Sequence, residues 1–168
     1  MHEQRRERTD LRADARGLAR RFEARAWDLV EQRHHTVLER TEMLDAARAA
    51  RALVRIATSA TDGIPMLRAH QLVAFAAWRA NDPPTAFEAA RLARGCEWIA
   101  PNDVTPTDEA MTLAAEYLAG LTRPGFTDPV PLMARVRTLP RIARDRLERI
   151  LPWPAERFAG SEPVLSPA

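Results

Sequence analysis

Residues 66–95, MLRAHQLVAFAAWRANDPPTAFEAARLARG, constrain the fold more than any other stretch of the chain. In the first half Met66, Leu67, Leu72, Val73, Phe75, Ala76, Ala77 and Trp78 are apolar, broken by Arg68, His70, Gln71 and Arg79. A helix apolar on most sides is buried on most sides. Asn81-Asp82-Pro83-Pro84 stops it, because the residue before a proline avoids helical angles and a proline suits the first turn of the next helix. Asp82 is the expected cap of that second helix, which carries Ala86, Phe87, Ala90, Leu92, Ala93 and Cys96 and is expected to end at Gly95. So short a turn makes the two helices antiparallel. Ala76, Ala77, Ala86, Ala89 and Ala90 are small enough for close approach, so this hairpin is the expected folding centre.

Helical periodicity continues on both sides. Leu11, Ala15, Leu18, Phe22, Ala26, Leu29 and Val30 recur at spacings of three and four, and Val37, Leu38, Leu44, Ala47, Leu53, Val54 and Ile56 carry the stripe on. The pattern reads as two helices, 9–33 and 36–58, or one long bent helix. Without an opposite-charge ladder, packing on the hairpin is favoured over a two-stranded coiled coil. Thr105 and Pro106 start a helix that ends at Gly120, with Asp108 and Glu109 in its first turn. Asp128-Pro129 starts another, Pro140 breaks it, and a last helix runs to Leu151 with Leu139, Ile142, Ala143, Leu147 and Ile150 inward. The expectation is an all-α protein: a single domain of about six helices around a central antiparallel helical hairpin. Residues 1–8 are expected to be frayed, 9–151 to form the helical domain, and 152–168 to form a Pro-rich tail.

The segment ARALVRIATSATDGIPMLRAHQLVAFAAWRANDPPTAFEAARLARG, followed by MTLAAEYLAGLTRPG, resembles the C-terminal helical part of the proteins catalogued as domain of unknown function 4192. There a helix of the type LLAFAAW leads through a short turn to an alanine-rich helix, a loop and a helix of the type LAxLLxxxLxxGxxP. The resemblance spans residues 49–125. It departs at Asn81-Asp82-Pro83-Pro84, where the family has a glycine-containing turn, and the family's N-terminal portion has no counterpart. It implies a helical fold and assigns no activity. The hairpin also looks like one tetratricopeptide-type unit, without a second copy at a fixed period.

Composition bounds the function classes. The chain has 25 Arg and no Lys, offset by 23 acids. Residues 1–60 hold 13 Arg and 10 acids, 61–125 hold 5 Arg and 8 acids, and 126–168 hold 7 Arg and 5 acids, so an acidic centre lies between basic flanks. The flanks are expected to pack on the centre rather than meet a polyanion. No apolar run of about 18 residues exists, and MHEQRRERTD has no apolar segment after its charges, so neither a membrane span nor a secretory signal is expected. Cys96, the single cysteine, can form no internal disulfide, which fits a cytoplasmic location.

Candidate chemistry is sparse. Glu31-x-x-His34 has the spacing of helical di-iron carboxylate sites, but none of His2, His35 and His70 has a glutamate three residues before it. Cys96 reads as a structural cysteine at the end of an apolar helix. The serines lack a nucleophile-elbow context, and the six glycines form no phosphate loop. No catalytic residue, cofactor or metal is expected. Two features remain. Arg12, Arg16 and Arg20 in the first helix and Arg137, Arg141 and Arg144 in the last can share faces suited to phosphate. Trp153 and Phe158, set among prolines, can dock in a partner's groove. The favoured expectation is a non-enzymatic scaffold or adaptor that meets a protein partner or its own copy through the N-terminal helix. The alternative is an accessory nucleic-acid-binding protein using the terminal arginines.

Overall fold

A computed structural model describes residues 2–58, 62–121 and 128–153, with 2–8 described by their backbone alone. Seven helices and no strand occur among the described residues: α1 (His2–Val30), α2 (Val37–Ala57), α3 (Gly63–Arg79), α4 (Pro83–Ile99), α5 (Pro106–Gly120), α6 (Val130–Arg137) and α7 (Arg141–Ile150). The all-α expectation holds. None of these helices is long and apolar enough to cross a membrane.

The hairpin of α3 and α4 is central. From Ala69 to Ala77 every residue of α3 is buried, and α1, α2, α4 and α5 all pack against it. Ala76, Ala77, Ala86, Ala89 and Ala90 are all buried, which brings α3 and α4 close together. Asn81 turns the chain with φ of 59°, the left-handed conformation that asparagine tolerates better than most residues; it takes the place of a glycine here. The Thr85 amide then donates to Asp82 Oδ1 at 3.2 Å and caps α4. Gly95 does not end α4, which continues one further turn to Ile99. No Cβ is needed at Gly95 because it faces outward, with no atom near the position a Cβ would take.

α1 and α2 are two antiparallel helices joined at residues 31–36. His35 Nε2 bonds the Leu29 carbonyl at the end of α1, and Thr36 and Glu39 form a reciprocal capping box that starts α2. Their pairing is fixed along its length: Arg25 Nε donates to Glu42 at 2.7 Å, and Arg16 Nη2 lies 3.4 Å from the Ala57 carbonyl. α1 begins at His2 rather than Thr9. Extending an existing helix fixes one residue per added hydrogen bond, a smaller cost than starting one.

α5 is tied to α3 by a buried polar junction. Thr105 and Asp108 form the capping box of α5. Asp108 also accepts from Arg68 Nε and Nη2, at 2.8 and 3.2 Å. Gln71, inside the core, donates to the Asp108 carbonyl at 2.8 Å and to Thr112 Oγ1 at 2.9 Å. Burial alone would raise the Asp108 carboxyl, but Arg68 and Thr105 outweigh it and hold it below its ordinary range. α7 packs on α5 and is tied to the segment just past α1, with Arg146 Nε 2.7 Å and Arg149 Nε 3.2 Å from Glu31. Arg146 also stacks over Trp27, and Arg79 Nη2 donates to the Arg149 carbonyl at 2.6 Å.

Two expectations at the C-terminal end change. Ile142 is not inward; it is 83% exposed, while Leu147 and Ile150 supply the buried face of α7. The expected tail loses its start: Leu151 and Trp153 belong to the core, with Trp153 edge-on to Tyr117 at 5.3 Å between centroids. An indole offers more apolar area than proline-rich flanking sequence suggests, and α5 supplies the aromatic surface to cover it.

The junction at Asp108 generates a prediction. Asp108→Ala removes the capping box with Thr105 and the carboxylate that Arg68 grips, while Gln71 keeps the backbone carbonyl and Thr112, so urea denaturation is expected to show a loss of about 2 kcal/mol. Glu88→Ala removes only an exposed pair within α4 and is expected to cost under about 0.5 kcal/mol. Equal losses in the two variants would refute the structural role of the junction.

Candidate functional site

Three helices build a cleft of about 760 Å³ along the outer side of α2. α2 supplies Arg48, Arg51, Ala52 and Arg55, while α3 supplies Met66 and His70 and α4 supplies Leu92, Cys96 and Ile99. The helical period puts the three arginines on one face, at spacings of three and four. Arg48 reaches Asp82 at 3.4 Å. Arg51 and Arg55 make no ion pair among the described residues. Across from them Met66 and Leu92 are half-buried and Ile99 is exposed, so the cleft has a cationic wall and an apolar floor. Among the described residues Asp62 is the one acid lining it. This size and mix of surfaces suit a ligand or a partner side chain cluster.

His70 sits in that wall. It is 8% exposed, and its enclosed Nδ1 has no hydrogen-bond partner among the described residues. Burial, and secondarily the Arg51 charge, depress it to about 4, with Glu88 pulling the other way. The imidazole is therefore neutral at physiological pH. Burial also pushes the Cys96 thiol up, with Glu97 adding to the effect, so this cysteine is held protonated.

A second feature stands beside the cleft. Arg16 is level with the end of α2, so residues 2–14 of α1 extend past it as an arm of roughly 20 Å at the usual helical rise. Thr9 through Asp14 are all exposed. Ala15 and Ala19 face the body, but Leu11 is 62%, Leu18 44% and Phe22 39% exposed. Asp14 lies between Leu11 and Leu18 at spacings of three and four, and Asp10 is one turn before it, so an acidic row borders an apolar one.

The arginines singled out from the sequence are scattered by the fold. Arg16 and Arg20 line a hollow of about 360 Å³ with Arg68, but Glu23 and Asp62 line it too. Arg12 is exposed on the arm, and Arg137 is exposed at the end of α6. Arg141 faces Asp145 at 3.7 Å, and Arg144 is half-buried. Trp153 is enclosed by its own chain and does not present its indole to a partner; Phe158 lies outside the described residues. Glu31 and His34 do not share a helix face, because α1 ends at Val30 and Glu31 is held by Arg146 and Arg149. Among the described residues no three His, Cys, Asp or Glu side chains are grouped to hold a metal ion. Among the described residues the basic flanks meet the acidic centre at two ion pairs, Arg48–Asp82 and Arg135–Glu109, while Arg146 and Arg149 join the two flanks to each other through Glu31. Sequence reading missed the cleft. Its signal, Arg48, Arg51 and Arg55 on one helix face, was present, but which helices face that side is a tertiary matter.

The neutral His70 generates a pH prediction. Its folded-state value lies below its ordinary one. As the pH falls, the unfolded chain takes up a proton that the folded chain refuses, and stability is lost. Between pH 7 and 5 the loss from this group is about 2 kcal/mol. His70→Leu is expected to flatten that part of the pH dependence in chemical denaturation, and an unchanged slope would show that His70 does not carry it.

The chain matches no protein-family model, no curated protein and no solved structure, so the resemblance over residues 49–125 stands on its sequence pattern alone.

Proposed function

We propose that this protein is a non-enzymatic interaction module that self-associates through α1. One observation carries the reading: α1 holds Leu11 on its arm, and Leu18 and Phe22 just after it, on an exposed stripe whose other members, Ala15 and Ala19, are buried against the body. A helical arm of this length is marginal alone in water, and its apolar stripe gains a cover only from another surface. The cleft's neutral histidine and protonated cysteine lend no activated nucleophile to an enzymatic reading. A cytoplasmic setting agrees with the single reduced cysteine.

A nucleic-acid role has one observation in its favour, the hollow where Arg16 and Arg20 meet Arg68. The acids Glu23 and Asp62 in the same hollow, and the commitment of Arg68 to Asp108, reduce what it offers a phosphate.

Light scattering after size exclusion, read at 260 and 280 nm, tests both. The wild-type chain is expected to run as a dimer or larger species free of 260 nm excess. Each buried leucine contributes roughly 1.5–3 kcal/mol, so Leu11→Asp with Leu18→Asp is expected to weaken the association by about a hundredfold or more. A wild-type monomer would refute self-association, and co-eluting nucleic acid that salt strips away would favour the other reading.

A further inference from the structure

We infer that the cleft between α2, α3 and α4 is the receptor for the α1 arm of a second copy of this chain; this rests on the self-association proposed above and names its two surfaces. Charge and spacing carry the argument. The arm presents Asp10 and Asp14, one helical turn apart and both exposed. The cleft presents Arg51 and Arg55, also one turn apart and without ion pairs among the described residues. Two helices laid side by side can therefore match both pairs at once. Leu11 and Leu18, bracketing Asp14, then face the apolar floor of Met66, Leu92 and Ile99. Ile99, left exposed on that floor, gains cover in the same step. The nearly enclosed His70, whose Nδ1 has no hydrogen-bond partner among the described residues, lines the wall on which the arm would lie.

The chain cannot satisfy its own cleft. α1 is one continuous helix, and its arm lies past the C-terminal end of α2, whereas the cleft runs alongside α2 from Arg48 to Thr58. Both features meet the same end of the bundle, since Thr58, Asp62 and Gly63 line the cleft there. Two copies related by a two-fold axis through that end can each lay an arm in the other's cleft. Such a contact is self-complementary and closes at two.

Charge reversal tests the pairing. Asp10→Arg/Asp14→Arg spoils the arm and keeps the cleft; Arg51→Glu/Arg55→Glu spoils the cleft and keeps the arm. Each variant alone sets like charges against each other and is expected to dimerise about a hundredfold more weakly. An equimolar mixture is expected to regain a dimer of both variants, because each arm now meets a cleft of opposite charge. Circular dichroism checks that both variants keep their helices. A mixture that stays monomeric overturns the pairing. A dimer that Leu11→Asp/Leu18→Asp breaks but both reversals leave intact overturns this inference while self-association stands. A wild-type monomer overturns both.

Discussion

Helix α3 has no solvent face over its middle turns, and the rest of the molecule answers that constraint. Leu72, Val73, Phe75, Ala76 and Ala77 point in every direction around one helix, so partners are needed on all sides. α4 takes one side through an alanine-rich contact, and α2, α1 and α5 close the others. Gln71 and His70 are the polar residues inside this shell, and Gln71 is the deeper of the two. Its amide satisfies both the Asp108 carbonyl and Thr112, so the cost of burying it is offset only in one placement of α5 against α3.

The ionic contacts divide into those the fold consumes and those it leaves. Arg68 is spent on Asp108 and Arg94 on Glu116; Arg146 and Arg149 are spent on Glu31. These fork-shaped donors fix how α5 and α7 sit on their neighbours. Most of these links are partly exposed, so they add orientation more than stability. Against this, Arg51 and Arg55 on α2 and Asp10 and Asp14 on α1 stand beside apolar surface without an ion pair among the described residues. The arm and the cleft thus share a composition: one row of charge beside one row of apolar side chains, with the sign reversed between them.

Much of the local structure was legible before any coordinates. The Asn81-Asp82-Pro83-Pro84 turn, the Thr105 cap and the break at Pro140 follow from backbone chemistry within a few residues, and each is found where that chemistry puts it. Less legible were positions whose fate depends on distant residues. Ile142 fits the inward period of α7 yet faces out, because the helix turns Leu147 and Ile150 to the core and meets Glu31 along Arg146 and Arg149. Trp153 follows a proline in a segment without periodicity yet is buried, because Tyr117 lies within reach.

The sequence by itself determined the helical class, the central hairpin and the caps that start α4 and α5, since periodicity, proline geometry and side-chain capping act over one or two turns. Only the tertiary structure decided which arginines are neutralised and which stay free. That choice depends on which helices lie side by side, so residues far apart in the chain, such as Glu31 and Arg146 or Arg51 and Ile99, become neighbours. The same holds for the arm. The stripe is written in the heptad-like spacing of Leu11 and Leu18, but Leu11 stands past the body because α2 is shorter than α1 and ends beside Arg16.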